Sequence, residues 1–333
     1  MTGEDDLVGR IRSAAAADRD GVLVGIGDDC AVLEPTPGMR LIATTDLLIE
    51  DVHFRRRYAD AADVGWKAVA VNISDIASMG ARARWALVAL ACPAGTTPEE
   101  IEAFYGGALA LAREHGVAVV GGDTSSSPGG WFVNVTVLGE ATRTLLRSTA
   151  RPGDVVAVTG TLGRSAAGLA VLQRDPTTIA VDPDTLSDVT TAHLRPRPRA
   201  VEGGWLGTSD GVTAMMDLSD GLATDVRRLC TESGVGATIA LDTLPITAAT
   251  RRVAVAIDHD VLGWATGGGE DYELLVVSAS EPFERLADGL AKATGTALTR
   301  IGTIERGTSV RFVDARGDAV DVVRGFEHFV TGR

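Results

Sequence analysis

Short runs of Val, Ile and Leu alternate along the chain with Ala-rich stretches whose apolar residues recur at helical spacing. That is the pattern of an α/β or α+β fold. In the first half it predicts a strand at Arg40–Thr45, a helix over Ala62–Met79 stopped by Gly80, and a strand at Trp85–Cys92. Thr97-Pro98-Glu99-Glu100 is a helix-start signal with proline in the first turn, and the helix it opens stops at Gly116. Strands at Val117–Val120 and Phe132–Leu138 complete this half.

The polar segment Arg147-Ser-Thr-Ala-Arg-Pro-Gly-Asp154 then interrupts the pattern. With 333 residues the chain exceeds what one core usually organises, so two domains are expected, 1–146 and 147–333. Beyond the break the alternation restarts with strand Val155–Thr159, helix Ser165–Gln173 and a Pro/Arg-rich connector at Arg195–Arg199. Strand Ala214–Leu218 leads into a helix over Gly221–Cys230. Further strands are predicted at Thr238–Leu241, Tyr272–Val277 and Val310–Val313, with a helix over Phe283–Thr294. No tandem repeat or low-complexity tract is present.

Composition narrows the function classes. The net charge of −14 disfavours nucleic acid, whose phosphates need a basic surface. No apolar run reaches the roughly 18–20 residues of a membrane helix. Met1–Arg10 carries Glu4, Asp5 and Asp6 and no apolar core, so it does not read as a secretory signal. Three widely spaced cysteines, Cys30, Cys92 and Cys230, suit a cytoplasmic protein with reduced thiols better than a disulfide framework or zinc site.

The standard phosphate devices are missing. No Gly-x-x-x-x-Gly-Lys-Ser/Thr occurs, and Gly25-Ile-Gly-Asp-Asp-Cys30 starts like a dinucleotide fingerprint but lacks its third glycine. Gly160-Thr-Leu-Gly163 could offer backbone amides to an anion, although a strand-to-helix turn needs glycine anyway. What recurs instead is an acid beside glycine or after an apolar strand. The clusters are Gly27-Asp28-Asp29, Thr44-Thr45-Asp46, Gly121-Gly122-Asp123, Asp217-Leu-Ser219-Asp220-Gly221 and Gly267-Gly-Gly-Glu270-Asp271. A lone Asp after a strand is ordinarily a turn or cap residue, and Asp220 could simply cap the helix that follows. Five such clusters point further. In the Ala62–Met79 helix, Asn72, Asp75 and Met79 share a face, with Asp75 on or just beside the apolar stripe.

Carboxylates gathered in one cleft repel. Two unit charges about 4 Å apart cost roughly 1 kcal/mol in water and roughly 4 at an effective dielectric near 20. Carboxylates with Thr hydroxyls form an all-oxygen donor set, which suits Mg²⁺ bridging protein to substrate phosphates. An acidic chain can then bind a polyanionic nucleotide through metal ions, with an arginine such as Arg147 as direct phosphate contact.

These clusters, in this order, resemble the thiamine-monophosphate kinase family. The matching stretches are Gly25-Ile-Gly-Asp-Asp-Cys-Ala-Val-Leu33, Thr44-Thr45-Asp46 with His53-Phe54, and Lys67-Ala-Val-Ala-Val-Asn-Ile-Ser-Asp-Ile-Ala-Ser-Met-Gly80. They continue with Gly121-Gly-Asp-Thr124, Val158-Thr-Gly-Thr161, Asp217-Leu-Ser-Asp-Gly221 and Gly268-Gly-Glu-Asp-Tyr-Glu-Leu274. The resemblance runs from about Gly25 to Phe329. It implies the two-domain α+β fold of the aminoimidazole ribonucleotide synthetase superfamily, whose N-terminal domain forms a shared β-barrel across a homodimer.

The resemblance also implies the activity: Mg²⁺-dependent transfer of the ATP γ-phosphoryl to thiamine monophosphate, giving thiamine diphosphate and ADP. Carried over position by position, it puts several magnesium ions on Asp29, Thr44, Thr45, Asp46, Asp75, Asp123, Asp217 and Asp220. ATP would be met by Tyr105, Gly122, Arg147 and Ser219, and the acceptor by His53, Glu270 and Phe326. No general base is implied. Within the superfamily, selenophosphate synthetases and hydrogenase-maturation enzymes carry reactive cysteines in a glycine-rich loop or at the C-terminus. Here Cys30 sits inside Gly-Asp-Asp-Cys-Ala and the chain ends Val330-Thr-Gly-Arg333. Aminoimidazole ribonucleotide synthetase differs in its acceptor motifs, and an idle binding module would need fewer carboxylates.

Overall fold

Residues that alternate between two environments build much of the first sheet, and the second is centred on strands buried on both sides. The computed structural model describes residues 4–15, 20–323 and 325. The chain divides into two compact units, Met1–Ile76 with Ala81–Arg143, and Ala77–Gly80 with Thr144–Arg333.

The first unit runs α1 (Glu4–Ala15), β1 (Val22–Val24), β2 (Val32–Leu33), β3 (Arg40–Ile49), α2 (Ala61–Ser78), β4 (Arg82–Pro93), α3 (Pro98–Glu114), β5 (Ala118–Ser127) and β6 (Phe132–Ala141). Its four-stranded sheet has the order β3-β6-β4-β5, antiparallel except for β4 with β5. On one face Val133, Val135, Val137 and Val88 are fully buried. On the other, Leu41, Leu47 and Leu87 remain 54%, 50% and 39% exposed.

Helix α2 is buried nearly all round, polar residues such as Lys67 and Asn72 included. Val64, Ala68, Val69, Ile73 and Ile76 are all at 1% exposure or less. It meets α3 at glycines: a Cβ at Gly65 would lie 1.9 Å from the Phe104 carbonyl oxygen, and one at Gly107 1.9 Å from that of Ala62. The predicted start of α3 is a full capping box, with the Thr97 hydroxyl accepting from Glu100 N and the Glu100 carboxylate from Thr97 N. The arm bearing β1 and β2 is tied to the sheet through Arg84, which donates to the buried Glu140 carboxylate, to Thr36 and to Asp20. Glu140 also accepts from Thr36 N and its hydroxyl at 2.6 and 2.8 Å.

The second unit runs β7 (Val155–Thr159), α4 (Arg164–Leu172), α5 (Pro183–Leu194), α6 (Ala200–Thr208), β8 (Val212–Asp217), α7 (Leu222–Ser233), β9 (Gly236–Ala240), α8 (Ala248–Ala256), α9 (Val261–Gly267), β10 (Leu274–Ser278), α10 (Phe283–Thr294), β11 (Leu298–Glu305) and β12 (Val310–Val313). Its six strands have the order β12-β9-β11-β7-β10-β8. Successive residues of β7 enter different cores. Val156 and Val158 join the α7 side with Leu222, Val226 and Leu229, while Val155 and Ala157 join Leu206 of α6 and Leu286 and Leu290 of α10. That three-layer packing explains the unbroken apolar runs of β7 and β10. Helices α4, α5 and α8 form a further cluster around Ala167, Val171, Val189 and Val253.

The glycine crossing gives a paired test. Gly107→Ala forces α2 and α3 apart and should lower unfolding free energy by about 1–3 kcal/mol, the ordinary cost of overpacking. Gly106→Ala has nothing within 4 Å of the new methyl, and should be neutral or stabilising by about 0.5–1 kcal/mol. Urea unfolding of both variants checks this, and equal effects would refute the crossing.

Candidate active site

In the first unit two of the acidic clusters lie inside strands rather than at their ends, which corrects the sequence expectation: β3 runs on to Ile49 and β5 to Ser127. The pleat therefore decides where their side chains go. Asp46 shares a row with Val135, Val88 and Gly122, and Thr44 with Val137 and Ala86. Thr44 and Asp46 thus leave the helix-covered face, where the Thr44 hydroxyl donates to Asp75 Oδ2 at 2.5 Å. Asp75 is half-buried on a helix whose neighbouring positions are buried. Asn72, three residues earlier, is fully buried and donates to Ala68 O.

Thr45 lies on the opposite face. Its hydroxyl joins Asn134 and Thr136, 2.9 Å from the Thr136 hydroxyl. Asp123 sits in the row of Ala89, Asn134 and Leu47, so it leaves the same face as Thr45. Next to it, a Cβ at Gly122 would lie 1.9 Å from Val88 O, so the β4–β5 register at this point requires glycine. Tyr105 is buried, and burial pushes its phenol up against the pull of a hydrogen bond with Thr124. His53 follows β3 in a turn, where its Nδ1 accepts from Ile49 N at 3.0 Å, leaving Nε2 as the protonated nitrogen. Asp28 and Asp29 are exposed, with Asp29 N donating to Asp28 Oδ1. Behind them Gly27 has φ 122° and backs onto the guanidinium of Arg12, which would lie 2.5 Å from a Cβ there.

In the second unit four predicted residues, Asp217, Ser219, Asp220 and Glu270, lie on two adjoining segments. Strand β8 ends at Asp217, and Ser219 and Asp220 occupy the turn before α7. The loop before β10 pairs with that turn along its backbone: Glu270 N donates to Ser219 O (2.7 Å), Tyr272 N to Leu218 O (3.0 Å) and Leu218 N to Glu273 O (2.8 Å). Glycine makes the approach possible, since a Cβ at Gly269 would lie 2.7 Å from Ser219 O. Glu270 and Tyr272 take left-handed backbone, φ 66° and 50°, a conformation costly for such residues and concentrated at functional loops. The C-terminal segment reaches the same place: Gly325 N donates to the Thr224 hydroxyl, and a Cβ at Gly325 would lie 1.7 Å from Asp220 O. Phe326 lies outside the described residues. Arg147 is exposed, and its carbonyl accepts from Ser233 at the far end of α7 from Ser219.

The structure divides the remaining acids into distinct jobs that the sequence did not reveal. Asp220 does not cap α7. Gly221 is the cap residue without a side-chain bond, and the Asp220 carboxylate pairs with Arg228. Arg228 also contacts the fully buried Asp225, whose carboxyl is pushed up to about 7 by burial and then by the Asp220 charge. The Gly163 and Ser165 amides are taken by an internal carboxyl, donating to Asp271 at 2.6 and 3.1 Å. Glu273 is gripped by Arg199 through two 2.5 Å bonds and accepts from the Thr159 hydroxyl at 2.7 Å. No local signal in the sequence marks the Arg199–Glu273 and Asp271–amide pairings, because their partners are 74 and 106–108 residues apart.

The residues expected to hold magnesium offer oxygen atoms only, which fits a hard cation. Among the described residues no three His, Cys, Asp or Glu side chains form a ready cation cage. Mg²⁺ needs none, being ordinarily held by one or two carboxylates together with phosphate oxygens and water.

Burial pushes the Asp271 carboxyl up to about 7 against the pull of the Gly163 and Ser165 amides. A carboxyl raised in the fold binds a proton that the unfolded chain has released, so its contribution is greatest at low pH and is lost as pH rises. The stability difference between wild type and Asp271→Asn should therefore move against the wild type from about pH 4 to about pH 7 and then flatten. Urea unfolding across that range checks it; a difference that moves the other way would show that the amides outweigh burial.

Two family models match the chain: AIR synthase related protein, N-terminal domain, over residues 27–141, and AIR synthase related protein, C-terminal domain, over residues 151–315. Thiamine-monophosphate kinase of Bacillus subtilis is 37% identical over 313 residues, which cover 92% of this chain and 93% of that protein. The crystal structure of thiamine-monophosphate kinase from Stenotrophomonas maltophilia K279a aligns with a TM-score of 0.83 at 37% identity, covering 94% of this chain and 96% of that one. The structure of AaThiL complexed with AMPPCP and TMP aligns with a TM-score of 0.77 at 33% identity, covering 98% and 97%. With two AIR synthase related domains and near full-length likeness to these kinases, the chain belongs to the thiamine-monophosphate kinase family.

Proposed function

We propose that this chain transfers the γ-phosphoryl group of ATP to thiamine monophosphate, giving thiamine diphosphate and ADP, in a magnesium-dependent reaction. The observation that carries the reading is the backbone pairing of the Asp217–Gly221 turn with the Gly267–Glu273 loop, which makes Ser219 and Glu270 neighbours. A nucleotide residue and an acceptor residue are thereby adjacent. The AaThiL complex with AMPPCP and TMP supports the same pair of ligands.

Asp29, Thr44, Thr45, Asp46, Asp75, Asp123, Asp217 and Asp220 would hold magnesium, which supplies positive charge against the phosphates when bound. Thr44 and Asp46 leave one face of their sheet, where Asp75 of α2 meets Thr44, and Thr45 and Asp123 leave the other, so the two groups would serve separate ions. Tyr105, Gly122, Arg147 and Ser219 would contact the nucleotide. His53 would offer its Nε2 hydrogen on the acceptor side, together with Glu270. The acceptor phosphate has a second pKa near 6, so at neutral pH it is already an anionic nucleophile and needs no protein base. The work left to the side chains is to bind, orient and exclude water.

The exposed Leu41, Leu47 and Leu87 on one sheet face support a homodimer that covers them. Among the described residues no helix is long and apolar enough to cross a membrane. We place the enzyme in the cytoplasm, where ATP is supplied.

Purified protein with ATP, Mg²⁺ and thiamine monophosphate should form thiamine diphosphate in step with ADP, read by chromatography. No product across a range of divalent metals would defeat the reading. Asp46→Asn and Asp123→Asn should each lower kcat by about 100-fold or more while the fold is kept, the scale of losing charge stabilisation in a transition state. Near-normal turnover in either variant would remove that residue from the metal set.

A further inference from the structure

Glu270 is set beside a buried imidazole. His193, on α5, is 3% exposed, and its Nδ1 lies 3.2 Å from Glu270 Oε2 and 3.0 Å from the Ser165 hydroxyl. Ser165 lies in the first turn of α4 and is itself 1% exposed. The grouping follows from tight packing. A Cβ at Gly168 would lie 2.0 Å from Val189 O and 3.1 Å from the His193 Cβ, so α4 and α5 cross at backbone distance one turn away. Asp271, next to Glu270, takes the Gly163 and Ser165 amides, which fixes the loop against the start of α4. An ionised carboxylate can only accept, so the Nδ1 facing Glu270 carries the hydrogen. The Ser165 oxygen stands at the same N–H.

Thiamine monophosphate is anionic at its phosphate and cationic at its thiazolium ring, with an amino group on its pyrimidine. A carboxylate beside the phosphate would repel it, whereas one beside the ring end attracts both the cation and the amine. We propose that His193 is a positioning residue for acceptor recognition: with its ring steadied by the Ser165 hydroxyl, it holds the Glu270 carboxylate where it meets the cationic, amino-bearing end of thiamine monophosphate. This rests on the assignment of Glu270 to the acceptor side. It adds a residue that touches no substrate and is separated from Glu270 in sequence by the six elements α6 to α9, and it states which end of the acceptor Glu270 reads.

The test compares His193→Leu, His193→Asn, Ser165→Ala and Glu270→Gln in the full chain, measuring KM for thiamine monophosphate and for ATP, kcat, and thermal midpoint. His193→Leu keeps bulk and loses the donor. It should raise KM for thiamine monophosphate by about tenfold or more, the effect of losing a hydrogen bond to a charged group, with KM for ATP unchanged. His193→Asn keeps a side-chain N–H near the Nδ1 position and should recover most of the loss. Ser165→Ala should shift the same KM in the same direction by less, and it carries the test if the Leu variant does not fold. Equal shifts in both KM values, no shift, or an Asn variant no better than Leu would overturn the proposal. A Glu270→Gln enzyme with normal KM for thiamine monophosphate would remove Glu270 from the acceptor site and the His193 role with it. If Glu270→Gln raises that KM and the His193 and Ser165 variants do not, only the His193 role falls.

Discussion

A chain with a net charge of −14 that is to join two phosphates must decide, acid by acid, what answers each negative charge. Buried carboxylates are costly unless donors surround them, and the fold meets that condition with its own groups where an acid is structural. Glu140 takes Arg84 and Thr36, Glu273 takes Arg199 and Thr159, and Asp271 takes the amides at the start of α4. Asp28, Asp29 and Asp123 stay exposed. The same residue type therefore serves two ends, and burial with protein donors separates them.

Glycine sets the geometry within which that sorting happens. Gly65 and Gly107 let α2 and α3 touch backbone to backbone, and Gly168 does the same for α4 and α5. Gly269 and Gly325 bring two further segments against the Ser219–Asp220 turn. Side chains at these points would separate segments that lie far apart in sequence. The candidate site is thus assembled from backbone contacts, with the chemistry carried on the residues between the glycines.

Much of this was legible in the residues. The alternation predicted the strands β4, β6, β7 and β12 and the helices α2, α3 and α10 within a few residues, because their periodicity reflects burial on one face or all round. Helices α1, α5, α6, α8 and α9 and strands β1, β2 and β11 went unassigned, being short or mixed in polarity. Glu270 and Asp271 read as one acidic cluster, with Glu273 two residues on in the same motif Gly-Glu-Asp-Tyr-Glu. The three acids have three separate roles, at His193, at the α4 amides and at Arg199. No spacing rule reveals that, since each partner arrives through tertiary packing. The strand predicted over Arg40–Thr45 already put Thr44 and Thr45 on opposite faces; its extension to Ile49 is what carries Asp46 onto the Thr44 face.

The central claim is that the scattered aspartates bind cations rather than move protons. The most direct measurement is a Mn²⁺ titration of the protein with a non-hydrolysable ATP analogue and thiamine monophosphate, followed by electron paramagnetic resonance of the free ion. More than one tightly bound Mn²⁺ per chain is expected, with sites lost separately in Asp46→Asn and Asp123→Asn. Unchanged cation binding in both variants, together with lost turnover, would contradict the claim.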